Sequence, residues 1–149
     1  MKIGAQTGFT LIELIVTLTV VAILASIAIP SMGNILATSD LNEAQEDFVQ
    51  ILKKGRGMAM ARATIATVSV NAAGKSATLT VADGSSSAYT VTATSRITVN
   101  ADATYTFYPV GTAILNPANI TTVLSATGYA AIPVRTISVS TTGQVNVSR

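Results

Sequence analysis

The chain contains no cysteine and no histidine in its 149 residues. Without thiols, neither a disulfide framework nor a thiolate metal site can form. Without imidazole, the commonest general base, the commonest metal ligand and the usual activator of a nucleophilic serine are all missing. Charge is scarce too: 11% of residues are charged against 49% hydrophobic, a balance unlike that of an ordinary soluble protein. These absences weigh against catalysis, and no cofactor or metal is expected.

What is left for an enzyme is thin. Lys75 beside Ser76 comes nearest to a base and nucleophile, but adjacent residues on an extended strand point to opposite faces. Asp83 and Asp102 are the only acids after Gly55. Both lie in turn-like segments, where aspartate satisfies backbone donors, and two scattered carboxylates are too few hard ligands for calcium. Asn119-Ile120-Thr121 and Asn146-Val147-Ser148 match the glycosylation acceptor pattern in Thr- and Ser-rich stretches where chance matches are common. The chain is therefore not expected to be an enzyme.

Against this background the N-terminus stands out. From Phe9 to Ile29 the run is apolar apart from Thr10, Glu13, Thr17, Thr19 and Ser26, with no Gly, Pro or basic residue inside it. As a helix rising about 1.5 Å per residue, it reaches roughly 30 Å, the thickness of a bilayer's hydrocarbon core. A secretory signal peptide cut after Ser26-Ile27-Ala28 fits poorly: the basic region is Lys2 alone, Glu13 interrupts the apolar run, and the run is too long. A plain anchor leaves Glu13 unexplained, because an ionised carboxylate at depth costs roughly 2.5–3.5 kcal/mol and calls for a partner.

The residues Gly8-Phe9-Thr10-Leu11-Ile12-Glu13 ahead of an apolar helix resemble the class III leader of type IV prepilins and type II secretion pseudopilins. The resemblance implies that a prepilin peptidase cuts after Gly8 and that the new N-terminal amine, on Phe9, is methylated. Glu13 would then be the fifth residue of the mature chain. It also implies an answer to the carboxylate: in a filament, Glu13 pairs with the Phe9 amine of a neighbouring subunit. A buried carboxylate is tolerated only when paired, so Glu13 would fix the stagger between subunits rather than add much stability.

Pro30 is expected to end or kink the first helix, since its ring removes a backbone donor and crowds the preceding turn. A helical pattern resumes with Leu41, Ala44, Phe48, Ile51 and Leu52 at spacings of three and four, with Asp40, Glu43, Glu46, Asp47, Lys53 and Lys54 elsewhere. Gly55 and Gly57 are expected to end or loosen it near Lys54. The stretch from Gly55 to Val70 resembles the Arg-rich helix end and following strand of the GspH and FimT type of minor pilins and pseudopilins, on Arg56, Ala59 and Arg62.

Beyond Ala66 the period changes to two. Segments TVSVN, ATLTV, YTVTATS, RITVN and TYTFY, separated by turn signals such as AAGK and DGSSS, read as antiparallel strands with one wet face. The stretch from Phe107 to Asn119, with Pro109, Gly111 and Pro117, reads as a loop carrying an edge strand. Val134 to Arg149 reads as a terminal hairpin around Thr141-Thr142-Gly143-Gln144.

Some FimT-type members carry a G-R-x-R motif for DNA at this hairpin. Here Gly143 is followed by Gln144, Val145 and Asn146, so both arginine positions hold neutral amides and lack phosphate-pairing charge. Arg135 and Arg149 are left as candidates for weak DNA or anion contacts.

These observations predict an α+β pilin-like fold, a long N-terminal helix packed on a C-terminal antiparallel β domain. The expected segments are a leader at 1–8, a transmembrane or filament-core helix at 9–30, an amphipathic continuation at 31–62 and a globular β domain at 63–149. The resemblance implies a minor pilin or pseudopilin held in the inner membrane with its C-terminal domain periplasmic, then added to a filament for pilus biogenesis or type II secretion. The site residues it implies are Gly8, Phe9, Glu13 and Pro30. Its implied partners are prepilin peptidase and other pilin or pseudopilin subunits. A DNA-binding minor pilin for natural transformation is the alternative.

Overall fold

The computed structural model describes residues 8–83 and 88–149. A single long helix, α1 (Leu11–Ala61), precedes strands β1 (Ala66–Asn71), β2 (Ser76–Val81), β3 (Tyr89–Thr92), β4 (Ile97–Val99), β5 (Ala103–Phe107), β6 (Ala113–Asn116), β7 (Thr121–Ala126), β8 (Arg135–Val139) and β9 (Val145–Ser148). The chain divides into two compact units, one ending at Ile35 and the other spanning Leu36–Arg149.

In the first unit the large apolar side chains from Leu11 to Ile29 are exposed, and the helix is long and apolar enough to cross a membrane. Its polar side chains are turned back on the helix: the Thr17, Thr19 and Ser26 hydroxyls donate to the carbonyls of Leu14, Val16 and Ile23 at 2.8, 2.7 and 2.7 Å. Such internal satisfaction suits apolar surroundings, where no water can replace the missing partner. Of the two outcomes expected at Pro30, an end or a kink, the first does not occur: α1 is unbroken across it. A proline removes only its own N–H donor, and the hydrogen bonds on either side can carry the helix past one lost rung.

In the second unit the remaining turns of α1 bury Leu41, Ala44, Phe48, Ile51 and Leu52 in one core with residues of both sheets. Every strand pair is antiparallel. One sheet runs in the order β3-β2-β1-β5-β6, with β6 the expected edge strand, and the other β4-β7-β8-β9. The α+β class read from the sequence is the class observed.

Gly55 does not end the helix either, which continues to Ala61. A Cβ at Gly55 would lie 3.0 Å from Val68, 3.2 Å from Leu79 and 3.3 Å from Phe107. The missing side chain lets the helix backbone approach β1, β2 and β5 closely, and packing contacts offset the propensity cost of about 1 kcal/mol for a helical glycine.

Strand β7 has no counterpart among the expected strands. Its inward phase is Thr122, Leu124 and Ala126, so a threonine occupies a core position and blurs the alternation. Burial is tolerated because the Thr122 hydroxyl and the Tyr105 hydroxyl hydrogen-bond at 2.8 Å, and a buried polar group costs little once paired. Burial raises the Tyr105 pKa above its ordinary value, partly opposed by its hydrogen bonds to Thr122.

That shift has a sign. The folded state holds the Tyr105 proton to higher pH than the unfolded chain, so the stabilisation is fully present below the unfolded tyrosine value of about 10 and is lost as pH rises through the folded value. Unfolding midpoints should therefore fall at alkaline pH, and Tyr105→Phe should flatten that fall. An alkaline limb equally steep in Tyr105→Phe would assign the loss to other groups.

Candidate processing and assembly site

The described chain begins at Gly8, Phe9 and Thr10, which belong to no helix or strand, before α1 starts at Leu11. Thr10 caps the helix: its hydroxyl accepts from the Glu13 backbone N–H at 3.3 Å, and its carbonyl accepts from the Leu14 N–H at 3.2 Å. This satisfies one of the otherwise orphaned donors of the first turn. Glu13 itself sits in that first turn, where a negative charge complements the positive end of the helix dipole.

Among the described residues, nothing lies within 4 Å of where a Cβ on Gly8 would sit, and Phe9 is 84% exposed. Cleavage after Gly8 would leave a cationic amine on Phe9, one residue ahead of the capping Thr10 and four ahead of Glu13. An amine at a helix N-terminus opposes the dipole, so the same place that repels the amine favours a carboxylate beside it.

The arginines of the terminal region are placed differently from one another. Arg149 is exposed at the C-terminus. Arg135 is only 4% exposed, which removes it from the surface where an anion contact was expected. Its guanidinium donates to the Pro133 carbonyl and the Asn42 side-chain oxygen, both at 3.1 Å. Its Nε is buried without a hydrogen-bond partner among the described residues. The cause is strand phase: Arg135 shares the inward face of β8 with Ile137 and Val139.

The enzyme constructions separate in the same way. Lys75 donates to the Ser95 carbonyl at 2.6 Å. Asp102 accepts from the Ala72 N–H at 2.7 Å, as a turn aspartate should, while Asp83 pairs with Arg62 instead. Arg96 pairs with Asp40 at 2.9 Å. The two aspartates thus serve separate structural contacts.

Comparison with known proteins bears on the N-terminus and on the fold. Residues 3–29 match the model of the prokaryotic N-terminal methylation motif. Two crystal structures of the type IV minor pilin FimU from Pseudomonas aeruginosa are similar in fold. The form in space group P65 is 20% identical, with a TM-score of 0.57 over 73% of this chain and 93% of that one. The form in space group P21 is 19% identical, with a TM-score of 0.59 over 75% and 90%. No curated protein matches the chain significantly. The chain thus carries the prokaryotic N-terminal methylation motif, and its fold is that of a pilin.

Proposed function

We propose that the chain is a minor pilin, a non-catalytic subunit that is cut after Gly8, methylated on the Phe9 amine, held in the inner membrane by α1 and then added to a filament. The observation that carries this reading is the methylation motif at residues 3–29, set on an exposed apolar helix that leads into a domain of pilin fold. In this reading the domain is periplasmic and serves as a surface for other pilin or pseudopilin subunits. Prepilin peptidase is the processing partner, and the filament belongs to a pilus or to a type II secretion system.

Glu13 in this reading pairs with the Phe9 amine of the adjoining subunit. A carboxylate and an amine neutralise each other in an apolar bundle only at one relative stagger, so the pair would select register.

The test is the intact mass and N-terminal sequence of the membrane-extracted protein, expressed with and without prepilin peptidase. A chain starting at N-methylated Phe9, formed only with the peptidase, is the expected result. A start after Ala28, or an uncut Met1 in both strains, would overturn the reading.

A further inference from the structure

Where the C-terminal turn meets α1, a groove of ≈ 380 Å³ opens between Lys53, Arg56, Gly57 and Met60 on the helix and Gln144 and Asn146 on the hairpin. No acid lines it. The Arg56 Nε donates to the Gly111 carbonyl at 3.3 Å, which ties the base of the side chain to the β5–β6 loop. The two terminal nitrogens of the guanidinium have no hydrogen-bond or ion-pair partner among the described residues.

Two glycines shape this corner. Gly143, at φ +73°, lies so close to Gly111 that any Cβ there would collide with the Gly111 carbonyl, and it would come within 2.9 Å of the Arg56 Nε. Gly111, at φ +85°, lies against Met60 and Arg56. Among the described residues, nothing lies within 4 Å of a Cβ on Gly57, so the helix presents bare backbone beside Arg56. The result is a fixed guanidinium, an exposed ammonium one turn earlier and two side-chain amides around an open space.

We infer that this groove binds the carboxylates of an acidic helical segment on a neighbouring subunit. Lys53 and Arg56 are three residues apart and share one helix face, so they match two carboxylates that are themselves one turn apart. Arg56 can take its carboxylate through the parallel donors of its fork, while Lys53 supplies a point charge. Gln144 and Asn146 add amide donors without adding charge. Nucleic acid fits less well: two cations neutralise few phosphates, and no aromatic ring lines the groove to stack a base. The α1 of this chain itself carries Glu43 and Glu46 at the same spacing, both exposed, so acidic helix faces of this kind exist on at least one chain of this fold.

The inference rests on the filament reading only for where the acidic segment comes from; the binding is a property of this chain alone. The full chain in detergent micelles is titrated at low salt with an alanine-based helical peptide carrying glutamates three residues apart, with its glutamine counterpart and with a single-stranded oligonucleotide. The glutamate peptide should bind and the glutamine peptide should not. Lys53→Gln should weaken binding on the order of threefold, and Lys53→Gln with Arg56→Gln on the order of tenfold or more. Lys53 is exposed, so its variant keeps the test valid if Arg56→Gln disturbs the Gly111 contact. Equal binding of both peptides, glutamate binding untouched by Lys53→Gln, or tighter binding of the oligonucleotide with the same variant sensitivity would overturn the inference. Failure here leaves Phe9 processing unaffected, so the two readings fail separately.

Discussion

Glu13→Ala is expected to leave the protein in the membrane and largely remove it from filaments. The substitution takes a carboxylate out of an apolar run whose neighbours Ile12, Leu14 and Ile15 are all exposed apolar side chains. Insertion should therefore become easier, since an ionised group at depth costs roughly 2.5–3.5 kcal/mol. The Thr10 cap uses the backbone N–H of residue 13, so the helix start survives the loss of the side chain. Assembly responds in the opposite direction. If the carboxylate neutralises the Phe9 amine of the next subunit, its removal leaves a buried cation unpaired, at about 3–5 kcal/mol. That corresponds to a loss of roughly two to four orders of magnitude in the incorporation equilibrium. Quantifying the protein in sheared filaments and in membranes separates the two effects, and normal recovery from filaments would sink the pairing. Glu13→Gln should behave like the alanine variant, because an amide carries no charge to offset the amine.

The same stretch shows how far residues speak for structure. The apolar run, its Thr10 cap and the spacing of Leu41, Ala44, Phe48, Ile51 and Leu52 made the helix legible, because burial and period both follow from side-chain type. Its stops were not. Pro30 and Gly55 are breakers by local propensity, yet the helix continues through both, and at Gly55 the reason is a close approach to Val68, Leu79 and Phe107 that no local rule contains. Tertiary packing overrides propensity wherever the gain in contact exceeds about 1 kcal/mol.

Strand β7 and Arg135 were hidden for a related reason. Thr122 faces the core because Tyr105, seventeen residues earlier in the chain, supplies its partner. Arg135 reads as a surface cation by type, but its step of two from Ile137 and Val139 places it on their inward face. That phase was available in the sequence and outweighs residue type. The groove at Arg56 depends on Gly111 and Gly143 meeting across two loops, a coincidence that spacing along the chain does not encode.

Phe48→Ala should be the most damaging single change to the domain that carries this groove. Phe48 is 1% exposed and lies in the core shared by α1 and both sheets. Removing its ring costs the transfer energy of the lost atoms and leaves a cavity, together about 3–5 kcal/mol. A domain of ordinary stability has about 5–15 kcal/mol in all, so the variant keeps its fold only with a much lower midpoint, down by on the order of 15–25 °C. With no tryptophan in the chain, the near-ultraviolet signal of its tyrosines reports the transition, and Tyr105, fully buried, is the natural probe. Leu14→Ala is the control. Leu14 is 57% exposed, so truncating it opens no cavity, and the midpoint of the domain should not move. A Phe48→Ala midpoint as high as that of Leu14→Ala would mean that the sheets hold together without the helix face, and the shared core would lose its place as the source of the domain's stability.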